Sequence, residues 1–347
     1  VTTYNILMFR VSYGDLYEAL KKAMQRLGLG EERAALCARL FAETTRDGVY
    51  THGLNRFPRF AAMIENGSVD VHAEATRTAG LGSLERWDGH RGIGNLNAFA
   101  ATQRAMELAK EHGIGGVALA STNHWMRGGT YGWIAAEAGM FAMCWSNTLA
   151  NMPAWGATTP TVGNNPLVIA VPRPGAAGGH VVLDMAMSQF SYGTLAAYSR
   201  RGALLPVDGG FDTAGNLTRD AAAIEASQRA VPVGYWKGSG LSLVLDMLAA
   251  MLSGGLATHQ LSRDPFRESG QSQIFLAIDP GALASTQELS RIADGILASF
   301  REASPDDPNK PVRYPGEETL RLREENMRLG IPVDPEIWQQ INSEPGQ

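Results

Sequence analysis

His52 and Arg56, in the segment Gly48-Val49-Tyr50-Thr51-His52-Gly53-Leu54-Asn55-Arg56-Phe57-Pro58, stand one helical turn apart and bring together two groups that reduction of a 2-keto acid needs. An imidazole titrates near neutrality and can protonate the alkoxide that forms as hydride reaches a carbonyl carbon. A guanidinium presents a planar fork to a carboxylate. The spacing alone favours a plainer reading, in which His52 caps a helix and Arg56 makes a surface ion pair.

Other segments offer chemistry with similar ambiguity. His124, in Ser121-Thr122-Asn123-His124-Trp125-Met126-Arg127-Gly128-Gly129, follows a predicted strand, where α/β proteins place ligand contacts. It can hydrogen-bond substrate oxygens or pack beside Trp125. Asp184, inside the apolar run Val181 to Ala186, needs a partner, which makes it either an orienting group for His52 or half of a structural salt bridge. Gly163-Asn164-Asn165-Pro166 offers amides to a nucleotide or a turn. Tyr235-Trp236-Lys237-Gly238-Ser239-Gly240 can stack a ring and pair with phosphate, or be a glycine turn with an exposed lysine.

The dinucleotide fingerprint is missing, since Gly238-Ser239-Gly240 runs on to Leu243 and Gly80-Leu81-Gly82 to Glu85 where a third glycine belongs. There is no phosphate loop or zinc helix, and Asp208 to Asp212 has the wrong spacing for a calcium loop. No metal is expected.

The elements that must position these groups begin with three helices. Ser12 caps the first, with Leu16, Leu20, Met24 and Leu27 at helical spacing before Gly28. The second spans 31–46 and stops at Gly48. The third carries Leu54, Phe57, Ala61 and Ile64, so His52 falls at a junction between helices. From Thr78 strands are expected at 84–87, 117–122, 140–146, 166–171, 181–187 and 273–278, with helices at 96–112 and 131–138 and a buried helix at 241–252. Residues 205–220 and 304–317 read as long surface loops. The tail, 318–341, is helical again and is expected to pack on the N-terminal helices. The predicted class is α/β, a mixed sheet covered by helices, in three lobes: 1–77, 78–285 and 286–347.

Composition narrows the partners. A net charge of −5 gives no general attraction to nucleic acid, and the 44% hydrophobic content suits a packed core. Cys37 and Cys144 are too few for a disulfide framework and read as core residues. The longest apolar run, 241–252, is too short to span a bilayer, so a cytoplasmic protein is expected.

Several of these segments, in order along the chain, resemble the malate/L-lactate dehydrogenase family: 48–60, 123–133, 150–157 (Ala-Asn-Met-Pro-Ala-Trp-Gly-Ala), 205–212 (Leu-Pro-Val-Asp-Gly-Gly-Phe-Asp) and 234–240. The resemblance covers nearly the whole chain. It implies a non-Rossmann nucleotide-binding lobe, a homodimer with sites close to the subunit interface, and His52 as proton donor. It places cofactor contacts at His180, Val181, Val182, Leu183, Asp184, Met185 and Ala186, at Trp236 and Lys237, and at Gly316, Glu317 and Glu318. Thr51, Arg56 and His124 become substrate residues and Asp184 a catalytic, orienting one. The implied reaction is NADH-dependent reduction of an open-chain 2,3-diketo sugar acid, with NADPH as alternative cofactor. Malate, lactate or ureidoglycolate type acids are the alternative substrates; a catalytically silent sugar-acid or nucleotide-binding protein is the alternative class. Two departures stand out: Thr51 replaces a serine, and Arg173 to His180 is longer than in the family member it most resembles.

Overall fold

Caps and stripes in the first seventy residues do produce three helices in the computed structural model, which describes residues 9–175 and 179–343. Strand β1 (Phe9–Val11) leads into α1 (Tyr13–Arg26), where the Ser12 hydroxyl accepts the Asp15 N–H at 3.0 Å and satisfies one orphan donor of the first turn. Leu16, Leu20 and Met24 are buried against α2 (Glu31–Arg46), which contributes Cys37, Leu40 and Phe41. The third helix starts later than its apolar pattern suggests. Two 3-10 turns, Tyr50–His52 and Leu54–Arg56, precede α3 (Phe57–Glu65). Pro58 explains the delay, since a proline fits only the first turn, where its missing N–H is not needed.

The middle of the chain builds the sheet. In order come β2 (Thr76–Leu81), β3 (Leu84–Asp88), α4 (Gly94–His112), β4 (Ile114–Asn123), α5 (Gly129–Glu137), β5 (Phe141–Ser146), β6 (Met152–Pro153), β7 (Pro160–Val162), β8 (Leu167–Val171) and β9 (Val181–Met185). Then follow α6 (Tyr192–Arg201), β10 (Gly210–Phe211), β11 (Leu217–Thr218), α7 (Ala221–Ser227), α8 (Trp236–Ser253), β12 (Ser269–Ile278) and α9 (Thr286–Arg301). Seven strands lie in the order β2-β3-β4-β12-β5-β8-β9. Only β3 and β4 are parallel; β12 runs antiparallel to both its neighbours, with Phe275 opposite Val117 on one side and Cys144 on the other. Its one parallel βαβ unit, β3-α4-β4, has no second unit winding the other way beside it, so the sheet lacks the switch point at which the dinucleotide fingerprint works.

Helices cover both faces, as the apolar strands predict. Ala98, Ala101, Ala105 and Ala109 of α4 bring it close to Val117, Leu119 and Phe275, while Leu245 and Ala249 of α8 pack on Ala118, Trp145 and Ile274. Each fully buried large side chain stabilises the fold by roughly 1.5–3 kcal/mol. The expectation that 241–252 is a buried helix needs correction. One face of α8 lies on the sheet, but Leu241, Val244, Leu248 and Met251 are exposed, Met251 at 70%. A helix apolar all round gives no sign of which side is covered. Asp246, the charge interrupting that run, accepts from Asn147 and from the Thr258 N–H. The 205–220 segment is also less free than a surface loop: it holds the β10–β11 hairpin and is anchored by Leu205, buried with Leu195 and Ile224.

The chain then returns. After α9 come α10 (Glu317–Leu329), β13 (Ile331–Val333) and α11 (Pro335–Asn342). β13 pairs with β1, the Asn326 amide donates to the Arg46 carbonyl, and Ile331 and Ile341 complete the N-terminal core. N- and C-terminal helices therefore pack together, as expected. Helix α9 instead holds the 173–175 turn, through Arg173–Asp294 at 2.6 Å and the Ser290 hydroxyl on the Pro174 carbonyl. The middle of the long 173–180 stretch, residues 176–178, lies outside the described residues. Among the described residues no helix is long and apolar enough to cross a membrane.

Candidate active site

His52 ends a 3-10 turn that Thr45 fixes from below, its hydroxyl accepting the Leu54 N–H at 2.9 Å. The His52 ring lies 5.7 Å from that of His124, nearly parallel at 20°. His124 reaches this place from the loop after β4, the chain turning sharply at Ser121 near the end of that strand and at Met126 beyond it, both with positive φ. Its Nδ1 accepts the Met126 N–H at 3.0 Å, which leaves the neutral ring with its proton on Nε2. His52 Nδ1 faces only the Thr51 hydroxyl, at 3.1 Å.

No carboxylate hydrogen-bonds to either ring among the described residues, and the nearby charges are arginines. Burial, then Arg56, Arg127 and Arg59, push His52 down to about 3; burial, then Arg56 and His52 itself, hold His124 well below the usual imidazole range. Both rings are neutral at pH 7. Arg59 is paired with Glu268 at 2.9 Å, and Glu268 also accepts the Leu149 N–H and the Gln271 amide. Arg56 makes no hydrogen bond or ion pair among the described residues, and burial followed by Arg59 lowers it to about 9. An unpaired guanidinium in such surroundings favours an incoming anion.

The two histidines open into a cavity of about 940 Å³, which brings together Thr51, His52, His124, Asp184, Ala186 and Glu318. An adjoining cavity of about 490 Å³ is lined by Val182, Leu183, Asp184 and Gly316, and the two share Val49, Arg127 and Asp184. Arg56 lies beside the rings without lining either space.

Asp184 does not bond His52. It caps α5 instead, accepting the Gly129 N–H at 2.8 Å, so it has a partner but neither of the two anticipated. The close approach requires glycine there, because a Cβ on Gly129 would stand 2.7 Å from that oxygen. Burial raises the Asp184 carboxyl, against the opposing pull of Arg127 and the Gly129 amide. The adjacent Val182 N–H donates to the Pro315 carbonyl at 3.0 Å, which ties β9 to the turn at Gly316.

Arg127, three residues after His124, carries a role that its sequence does not announce. It is 5% exposed and donates to Asp47 at 2.7 Å, while its Nε is buried without a partner among the described residues. Asp47 also takes Arg323 at 2.8 Å and Arg46 at 2.8 Å. Burial alone would raise the Asp47 carboxyl, but Arg323, Arg127 and Arg46 overcome it and hold it at about 2. Nothing in the sequence signals that residues 47, 127 and 323 meet.

The remaining candidates are placed elsewhere. His180 accepts the Arg173 N–H on Nδ1 and packs edge-on against Trp133, lining neither cavity. Val181, Met185 and Glu317 also lie outside both linings, Glu317 pairing with Arg301. Glu318 is held by Arg313 and Arg321. Trp236 and Lys237 start α8, exposed and away from the cavities, beside the Trp155–Tyr235 ring contact. Asn164 does line the larger cavity, with its carbonyl oxygen bonded to Thr148 and Asn151. The Thr51 methyl faces Gly193 of α6, where a Cβ would lie 2.8 Å from it. Among the described residues no cluster of three or more His, Cys, Asp or Glu could hold a metal.

Comparison with known proteins supplies the family. A family model described as malate/L-lactate dehydrogenase matches residues 11–342. A 2,3-diketo-L-gulonate reductase of Klebsiella pneumoniae is 47% identical over 338 residues, 96% of this chain and 99% of that protein. Among solved structures, a delta1-piperideine-2-carboxylate reductase from Pseudomonas syringae (TM-score 0.86, 26% identity) covers 96% of this chain and 99% of its own. The malate dehydrogenase of Pyrococcus horikoshii (TM-score 0.84, 25% identity) covers 99% of both chains. The chain belongs to the malate/L-lactate dehydrogenase family and is an oxidoreductase of hydroxy and keto acids.

Proposed function

We propose that this member of the malate/L-lactate dehydrogenase family reduces 2,3-diketo-L-gulonate to 3-dehydro-L-gulonate, with His52 as proton donor. The observation that carries the reading is the pair of neutral histidines on a cavity that continues toward β9 and α10, with the unpaired Arg56 behind them, outside the cavity lining. The 47% identical relative supports the substrate.

The family implies a nicotinamide cofactor, and the residues present suit one. The adjoining cavity is walled by Val182, Leu183 and Gly316 at the N-terminus of α10, and the buried Arg127 Nε still lacks an acceptor. Those groups would hold an anionic nucleotide. When bound, the reduced nicotinamide supplies the hydride that becomes the new C2–H bond. NADH is the assigned form.

The chain's own residues supply the rest. Arg56 takes the substrate carboxylate, and His124, fixed as an Nε2–H donor, holds a substrate oxygen. Burial first, and then the neighbouring arginines, keep His52 neutral; an anion at Arg56 offsets the arginine part, so His52 takes up a proton as substrate arrives and passes it to the C2 oxygen. Thr51 orients the His52 ring through Nδ1. Asp184 acts as a positioning residue, fixing the start of α5 between the two cavities. We assign 1–77 with the returning C-terminal segment to the substrate side and 78–285 to the cofactor side.

The exposed row Leu241, Val244, Leu248 and Met251 on α8 is assigned to a second copy of the chain, giving a homodimer. Val244→Glu should convert it to monomer in light-scattering chromatography; an unchanged mass would reject that interface.

For the reaction itself, His52→Ala should lower turnover by roughly 10²–10⁴-fold while nucleotide affinity holds. The assay follows nicotinamide absorbance with 2,3-diketo-L-gulonate and shorter keto acids, using NADH and NADPH in turn. Near-normal turnover by a folded variant would remove His52 from the role.

A further inference from the structure

Helix α6 was not anticipated from the sequence, yet it walls the larger cavity beside the histidines. It starts where Ser191 caps it, the hydroxyl accepting the Thr194 N–H at 3.1 Å. Its first turn rests on Thr51, the neighbour of His52, because Gly193 has no Cβ to hold them apart. From that point one face of the helix runs along the cavity wall: Ser191, Thr194, Tyr198 and Arg201 all line it, at spacings of one or two helical turns. The opposite face anchors the helix through Leu195, buried with Leu205 and Ile224.

The lining face has hydrogen-bonding capacity left over. The Tyr198 hydroxyl has no hydrogen-bond partner among the described residues. Ser191 and Thr194 bond each other at 2.9 Å, and whichever hydroxyl donates, the Thr194 oxygen keeps a free lone pair. Asn164, on the same cavity, uses its carbonyl oxygen internally and leaves its amide N–H groups open. Thr194 and Tyr198 are about 6 Å apart along the helix axis. A keto acid as short as pyruvate has no hydroxylated tail to offer such a wall, whereas a sugar acid carries a hydroxyl on each further carbon.

We propose that the Thr194–Tyr198 face of α6, with Asn164, binds the hydroxylated tail of the substrate and sets the preference for long sugar acids over short keto acids. This rests on the keto sugar acid reading given above. Tail recognition acts on binding and does not touch the proton or the hydride, so its signature falls in KM.

The test compares kcat/KM for 2,3-diketo-L-gulonate and for pyruvate in the wild type, Tyr198→Phe, Thr194→Val and the double variant, with NADH dissociation constants from fluorescence quenching. Each single change should lower the long-to-short ratio roughly 3–10-fold, as expected for a lost neutral hydrogen bond. The loss should appear in KM for the long acid, with kcat and nucleotide affinity held. An unchanged ratio in both variants overturns the proposal, and so does a loss confined to NADH affinity, which would give α6 to the cofactor. A wild type that does not favour the six-carbon acid refutes the substrate reading itself, and this assignment with it.

Discussion

Two arginine-rich regions border the same cavity and treat their charge in opposite ways. Around Asp47, Arg46, Arg127 and Arg323 converge on one buried carboxylate that joins the end of α2, the loop before α5, and α10. Around His52, Arg59 is satisfied by Glu268 while Arg56 has no acceptor and both imidazoles are stripped of charge. A cluster that holds a fold together spends its hydrogen bonds internally. The unspent cation beside two neutral rings marks the place where the fold leaves a requirement for something else to meet.

Removing the centre of each region tests the contrast most severely. Asp47→Ala leaves three guanidinium groups facing one another and should cost about 3–5 kcal/mol of stability, read by urea unfolding. A loss under 1 kcal/mol would mean the cluster is ornamental. Arg56→Met should do the reverse: KM for the keto acid rises roughly 10–100-fold, while the melting temperature stays level or climbs because an unpaired buried cation is gone. A variant that melts lower with unchanged KM would make Arg56 structural.

A smaller effect separates the regions by pH. His52, and His124 beside it, have folded values below the ordinary 6.5, so the unfolded chain binds more protons as pH falls. Stability tied to the neutral rings is complete above pH 6.5 and declines below it, down toward pH 3 for His52. Asp47, held at about 2, stays charged through most of that window. Melting temperatures between pH 7 and pH 4.5 should thus fall less steeply for a His52→Gln, His124→Gln double variant than for the wild type; parallel curves would show that the rings titrate normally.

Much of the scaffold is legible in the chain, for local reasons. Ser12 and the stripe behind it define α1 because a cap and its stripe act within one helix, and the uninterrupted apolar strands announce a sheet covered twice. What depends on distant partners is not legible. Arg127 looks like any loop arginine until Asp47 meets it, and Asp184 gives no hint that its partner is a backbone amide at Gly129. Helix α6 was missed because Ser191, Tyr192, Gly193 and Thr194 open it with weak helix formers, and only Leu195 and Ala197 are buried. The local spacing of His52 and Arg56 favours a helix cap and a surface ion pair. Their surroundings, two neutral rings and no carboxylate, are what a four-residue motif cannot encode.

The place of β12 in the sheet has a consequence for how the chain acquires its structure. This strand lies between β4 and β5, yet more than a hundred residues follow β5 before it is reached. Until it is inserted, β2-β3-β4 and β5-β8-β9 are two half-sheets with open inner edges, bridged by α5. A growing chain therefore carries two unpaired strand edges while more than a hundred further residues are made, exposed to pairing with other chains. Folding waits on a single late strand, and a chain interrupted before residue 269 would hold both site histidines yet have no strand to join its two half-sheets.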